Sequence, residues 1–151
     1  MRLDIGRVVS NEKFILEFDE QADYTDFDMY GEHPFAEPVR ISGTVKNKYS
    51  GIEFNSKISA HCKSICDRCL KPVEFDLNTE INSFIDLDSD IENDDPIELR
   101  SGRFIELDDA LLESLLFAYP QKILCREDCK GLCPECGADL NEAPCKCLIG
   151  E

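Results

Sequence analysis

The sequence predicts an α+β fold: an antiparallel β-sheet, one main helix after it, and a C-terminal cysteine-rich loop. Three observations predict it. Residues 52–62 and 73–85 alternate apolar and polar side chains with a period of two, the mark of half-buried strands. Leu111, Leu112, Leu115, Leu116 and Tyr119 recur at helical spacing until Pro120 stops the run. Six of the nine cysteines then crowd into the stretch from Cys125 to Cys147.

Residues 13–18, Lys-Phe-Ile-Leu-Glu-Phe, read as a short strand. An acidic, aromatic stretch from Asp19 to Tyr30 follows, with Gly31, Pro34 and Pro38 as breakers. Val39, Ile41 and Val45 share one parity and mark a second strand, and Tyr49-Ser50-Gly51 reads as a turn. Ile52, Phe54, Ile58, Ala60 and Cys62 then keep strict alternation, interrupted only by Ser56. In the next strand Val73, Phe75, Leu77, Thr79, Ile81, Ser83 and Ile85 face the core, and Glu74, Asp76, Asn78, Glu80 and Asn82 face away. The pair Cys66 and Cys69 falls in the connection between these two strands.

Residues 86–95 form an acidic loop, expected to be solvated. Asp86, Asp88 and Asp90 have calcium-loop spacing, but Ile91 and Ile97 stand where such a loop needs glycine and glutamate. Short strands are expected at 97–99 and 104–107, around Ser101-Gly102, and Asp108 is the expected helix N-cap. The predicted core includes Phe54, Ile58, Val73, Phe75, Leu77, Ile81, Leu112, Leu115 and Leu116.

Length and composition suit one domain with a small appendage: a core over 1–124 and a cysteine-rich tail over 125–151 packed on it. The tail is too short to fold without a staple. No apolar stretch near the N-terminus has signal-peptide length, and none approaches a membrane span. The expectation is a cytoplasmic protein without a membrane partner, whose clustered thiols stay reduced and hold metal. The formal net charge of −16 repels phosphate and makes a basic protein the easier partner.

Four thiolates at short spacing complete a tetrahedral metal shell, with zinc the usual occupant. Cys133-Pro134-Glu135-Cys136-Gly137 is a strong metal knuckle, and Cys145 and Cys147 supply its second pair. Cys66, Cys69, Cys125 and Cys129 form the other expected site, which would clip the helix exit to the hairpin end. The competing arrangement is a single C-terminal site with Cys66 and Cys69 free. One or two structural zinc ions are therefore expected, with iron a chemical alternative. Cys62 is left over. A redox dithiol at Cys66/Cys69 remains a competing reading, although such motifs usually open a helix and here strands flank the pair. His33 and His61 lie beside no nucleophile motif, and no glycine-rich phosphate loop occurs. No catalytic residue and no small-molecule substrate is expected.

Cys-Asp-Arg-Cys-Leu-Lys-Pro at 66–72, the helix ending in Tyr119-Pro120, and the run from Leu124 to Asn141 followed by Cys145-Lys-Cys147 together resemble the YceD family of large-ribosomal-RNA accumulation proteins. The resemblance implies a non-catalytic ribosome-biogenesis factor, with structural zinc, that supports accumulation of large-subunit (23S) ribosomal RNA. Its implied partners are ribosomal RNA or a basic large-subunit ribosomal protein. RNA contact would run through Arg68, Lys71, Lys122, Arg126, Lys130 and Lys146, the basic residues flanking the cysteines. The alternative is a thiol-redox or metal-dependent regulator using Cys66/Cys69.

Overall fold

A computed structural model describes residues 1–49, 51–87 and 97–149. Ser50 of the expected turn, and residues 88–95 of the acidic loop with its calcium-like spacing, lie outside the described residues. Two antiparallel sheets make up most of the regular secondary structure. The larger has the order β2 (Ile15–Ala22), β3 (Val39–Lys48), β4 (Gly51–Ile65), β5 (Pro72–Asp86). The smaller places β7 (Phe104–Glu106) between β1 (Arg2–Asp4) and β6 (Glu98–Arg100). Helices are few: α1 (Gly6–Ser10), α2 (Asp108–Ala118) and a terminal 3₁₀ turn at Lys146–Ile149. No helix among the described residues is long and apolar enough to cross a membrane.

The parity pattern sets which side chains face inward. Val39, Ile41 and Val45 of β3 and Ile52, Phe54, Ile58, Ala60 and Cys62 of β4 are all buried. Gly43 and Ser56, the two small residues in these stripes, face each other in the register. The backbones approach closely there, since a Cβ on Gly43 would lie 2.1 Å from the Asn55 carbonyl oxygen. Phe18 stacks on Phe54 at 5.6 Å between centroids. On β5, Leu77, Ile81 and Ile85 are buried, while Val73 and Phe75 are half-buried. The inner face of β5 meets α2, where Thr79 and Ser114 share a 3.1 Å hydroxyl contact and Phe75 packs on Tyr119. Leu3, Ile5, Val8, Ile105, Leu107 and Leu111 join the same core.

Several expectations are corrected. The first strand runs through Ala22, into the acidic stretch, because Arg40 on β3 pairs with Asp19 and offsets its charge. The aromatics Tyr24 and Phe27 then turn inward onto buried Phe35. Asp108 is the first helical residue rather than the cap. Leu107 occupies the cap, and Asp108 accepts hydrogen bonds from the chain N-terminus and the Tyr24 hydroxyl. Leu116 is 41% exposed and is not core, and Leu112 is only half-buried, since the buried face of α2 runs through Ala110, Leu111 and Leu115. The short α1 had no expected counterpart. Its C-terminal end is braced from elsewhere, by Asn47 donating to the carbonyls of Val8 and Val9.

Leu111→Ala should therefore cost about 2–5 kcal/mol of stability in urea unfolding, and Leu116→Ala roughly 0.5 kcal/mol or less. Equal losses would contradict this assignment of the helix faces.

Candidate metal centres

The first centre is built where β4 turns into β5. Cys66 N–H donates to the Lys71 carbonyl and Leu70 N–H to the Cys66 carbonyl, at 2.8 and 2.9 Å, closing a tight knuckle with Leu70 left-handed. Helix α2 ends at Tyr119-Pro120, and the chain returns to this knuckle. Asp67 N–H donates to the Ile123 carbonyl at 2.8 Å, and Ile123 N–H donates to Asp67 Oδ2 at 2.6 Å. This two-way lock brings Cys125 and Cys129 opposite Cys66 and Cys69. The four sulfurs lie within 4.8 Å of one another. Cys66 and Cys129 are 3.8 Å apart, and Cys69 and Cys125 are 3.6 Å apart. A regular tetrahedron with 2.3 Å metal–sulfur bonds has edges of about 3.8 Å, so the sulfur set fits a metal ion. A disulfide needs about 2.05 Å, and none of the nine cysteines is in one.

The second centre follows directly. Cys133 N–H donates to the Ala138 carbonyl, and Gly137 N–H donates to the Cys133 carbonyl, both at 2.8 Å. Cys145 and Cys147, at the start of the terminal 3₁₀ turn, complete a second set of four sulfurs within 4.8 Å. The structure thus gathers the cysteines into the two sets of four that spacing suggested, and not into a single C-terminal group. Cys62 joins neither. It is fully buried, and burial with the nearby Asp76 charge pushes its thiol up to about 11.

The thiols within each set differ. Burial pushes Cys66 up, but backbone N–H groups of Cys69, Cys125 and Arg68 outweigh it and bring the thiol to about 6. Cys133 is lowered to about 7, first by the Cys136 N–H, then by Cys145 and the Glu135 N–H. In contrast, the Cys69 sulfur and burial push Cys125 up to about 12, and Cys136 and burial push Cys147 up to about 11. One sulfur in each set ionises readily while another resists a further negative charge beside it. A divalent cation removes that conflict.

Side chains outside the sulfurs bind the two centres together. Arg68 Nη1 donates to the Cys129 carbonyl at 2.7 Å, and Leu132 N–H donates to the Arg68 carbonyl at 3.1 Å. Gly131 passes close to this arginine at φ +75°, where an added Cβ would sit 2.9 Å from the Arg68 carbonyl oxygen. Lys71 reaches Asp139 at 2.7 Å and Glu142 at 3.1 Å. Asn141, in the loop of the second centre, donates from Nδ2 to Cys129 Sγ of the first at 3.4 Å. Its Oδ1 accepts from Arg126 Nη2 and Lys130 N–H.

Sequence reasoning assigned no role to Asp67, Asp139 or Asn141. The available signal was polar residues with short side chains lying inside or beside each cysteine pair. The basic residues flanking the cysteines, Arg68, Lys71, Lys122, Arg126, Lys130 and Lys146, are all exposed, and three of them, Arg68, Lys71 and Arg126, also make these contacts. Neither histidine joins a centre: His61 bonds Asp76 at 2.8 Å, and His33 contacts the Phe27 carbonyl at 3.1 Å.

Outer partners of metal ligands commonly carry 10–100-fold in affinity. Asn141→Ala should make one metal equivalent about 10–100-fold easier to remove in chelator competition. Unchanged release would deny Asn141 its bracing role.

The comparisons with known proteins fit this geometry. An uncharacterised protein of Mycobacterium bovis and one of Mycobacterium tuberculosis are each 28% identical over 104 residues, covering 66% of this chain and 50% of theirs. The chain thus spans about half the length of the curated relatives it matches. No solved structure matches. A family model described as large ribosomal RNA subunit accumulation protein YceD matches residues 54–149, a span that holds most of β4, the whole of β5 and α2, and all eight clustered cysteines. With well over half its length under that match, the chain belongs to the YceD family.

Proposed function

We propose that this protein is a non-catalytic ribosome-biogenesis factor that supports accumulation of large-subunit (23S) ribosomal RNA. Two structural zinc ions, one in each cysteine centre, hold its working shape. The family description supplies the process. The observation that carries the structural part is the composition of the two centres: among the described residues, each offers four sulfurs and no histidine or carboxylate. Four thiolates close a tetrahedral zinc shell, whereas a catalytic zinc keeps a position open for water or substrate. When bound, the metal supplies attraction that holds the four sulfurs together. The chain's own part is to deliver the two pairs, to orient Cys129 through Arg68 and Asn141, and to cover the sulfurs with Val73, Leu124 and Leu132.

The redox alternative at Cys66/Cys69 has less support. Cys66 is fully buried and Cys69 nearly so, and each has a close sulfur neighbour from the opposite pair. A dithiol that exchanges with substrates needs an accessible attacking sulfur. The favoured partner is a basic large-subunit protein, in keeping with the charge of −16. Direct RNA contact has weaker support because three of the six flanking basic residues, though exposed, already pair with groups of this chain. The tail over 125–151 is taken to depend on metal for its order, as a segment this short needs a staple.

Depletion in the native cell should lower 23S relative to 16S ribosomal RNA, and wild-type protein should restore the ratio. The Cys66→Ser/Cys69→Ser variant should fail to do so. An unchanged 23S to 16S ratio on depletion would overturn the proposal.

A further inference from the structure

A groove of about 730 Å³ lies between the Phe27–Glu32 segment and the end of α2, beside the first cysteine centre. Phe27, Leu116 and Ile123 give it an apolar lining, and Asp28, Glu32 and Asp67 add three carboxylates, with no lysine or arginine among the lining residues. The hydrogen bonds these carboxylates accept come from neutral groups: Gly31 N–H to Asp28, the Ser64 hydroxyl to Glu32, and Ile123 N–H to Asp67. Their negative charge is therefore not offset locally. The Tyr119 hydroxyl lies in this field: burial is the main cause that raises its pKa, and the charges of Glu32 and Asp67 add to the rise.

The rim carries a second, independent feature. Met29 and Glu32 exchange backbone hydrogen bonds at 2.8 and 3.2 Å, closing a tight turn across Tyr30 and Gly31. Tyr30 is held left-handed at φ +57° and stands fully exposed, so its ring makes no packing contribution that would offset the backbone cost. Exposed aromatics of this kind are enriched at binding hot spots and accept guanidinium groups on their faces.

We propose that this groove docks an arginine-bearing basic peptide segment of a partner protein. A guanidinium lies on the Tyr30 ring and pairs with Asp28 and Glu32, while a neighbouring apolar side chain packs on Leu116 and Ile123. The inference deepens, and rests on, the ribosome-assembly reading above. It also gives the first metal centre a purpose beyond stability. Asp67 and Ile123, which wall the groove, are locked to each other between Cys66 and Cys125. RNA is the disfavoured occupant, since three carboxylates repel its phosphates.

The test uses the full metal-loaded chain and a fluorescein-labelled peptide of alternating arginine and leucine, with anisotropy for affinity and amide NMR shifts for location. Asp28→Asn/Glu32→Gln keeps the acceptor oxygens that hold the turn. It should weaken binding about tenfold, the sum of two modest ion pairs. Glu17→Gln/Glu20→Gln removes the same charge from the distant β2 and should change binding less than about twofold. Tyr30→Ala should weaken binding without altering metal content, and shifts should concentrate at residues 27–32 and 116–123. Equal weakening by both double variants, shifts elsewhere, or preference for a labelled single-stranded RNA would overturn the inference. Loss of 23S RNA on depletion without peptide binding overturns the groove alone. Peptide binding with 23S RNA unaffected by depletion overturns the assembly reading instead.

Discussion

The arrangement depends on holding four sulfurs, from two segments more than fifty residues apart in sequence, within 4.8 Å of one another. Left alone, that junction opposes itself. Backbone N–H groups pull Cys66 toward its thiolate, and its neighbours then resist further ionisation, as the raised Cys125 thiol records. Each hydrogen bond around the junction is worth only about 1 kcal/mol net. A divalent cation bound there would convert the repulsion into attraction and tie the hairpin end of β4 and β5 to the exit of α2. The Asp67–Ile123 lock, the Arg68–Cys129 contact and the groove wall all sit within a few residues of that tie.

The second centre is smaller and stands on the first. Its loop sends Asn141 to Cys129, and its Asp139 and Glu142 to Lys71. The Lys71 contacts tie the second centre's loop to the hairpin end and pair that exposed cation with two carboxylates. The remaining surface is strongly acidic, and the uncompensated carboxylates beside the first centre concentrate that character next to an apolar lining. A basic polypeptide meets both features at once, whereas a polyanion meets only repulsion.

Much of this was legible in the sequence, for identifiable reasons. Strict period-two alternation marked β4 and β5, because a strand with one buried face leaves no freedom in parity. The grouping of cysteines followed from ligand pairs on tight turns, which is a local property. What escaped was set by long-range partners. The extension of β2 to Ala22 rests on Arg40 across the sheet, the position of Asp108 on the distant N-terminus, and the exposure of Leu116 on where the sheet stops. The roles of Asp67 and Asn141 were hidden for the same reason, as neither residue type at its position signals a partner 56 residues away or a sulfur in another loop.

Metal content per chain, on protein purified without added metal and with zinc and iron both quantified, tests the central claim most directly. The account predicts about two zinc ions per chain, released together with eight titratable thiols on chelation. Protein that stays folded with all eight clustered thiols freely reactive and no bound metal would contradict it.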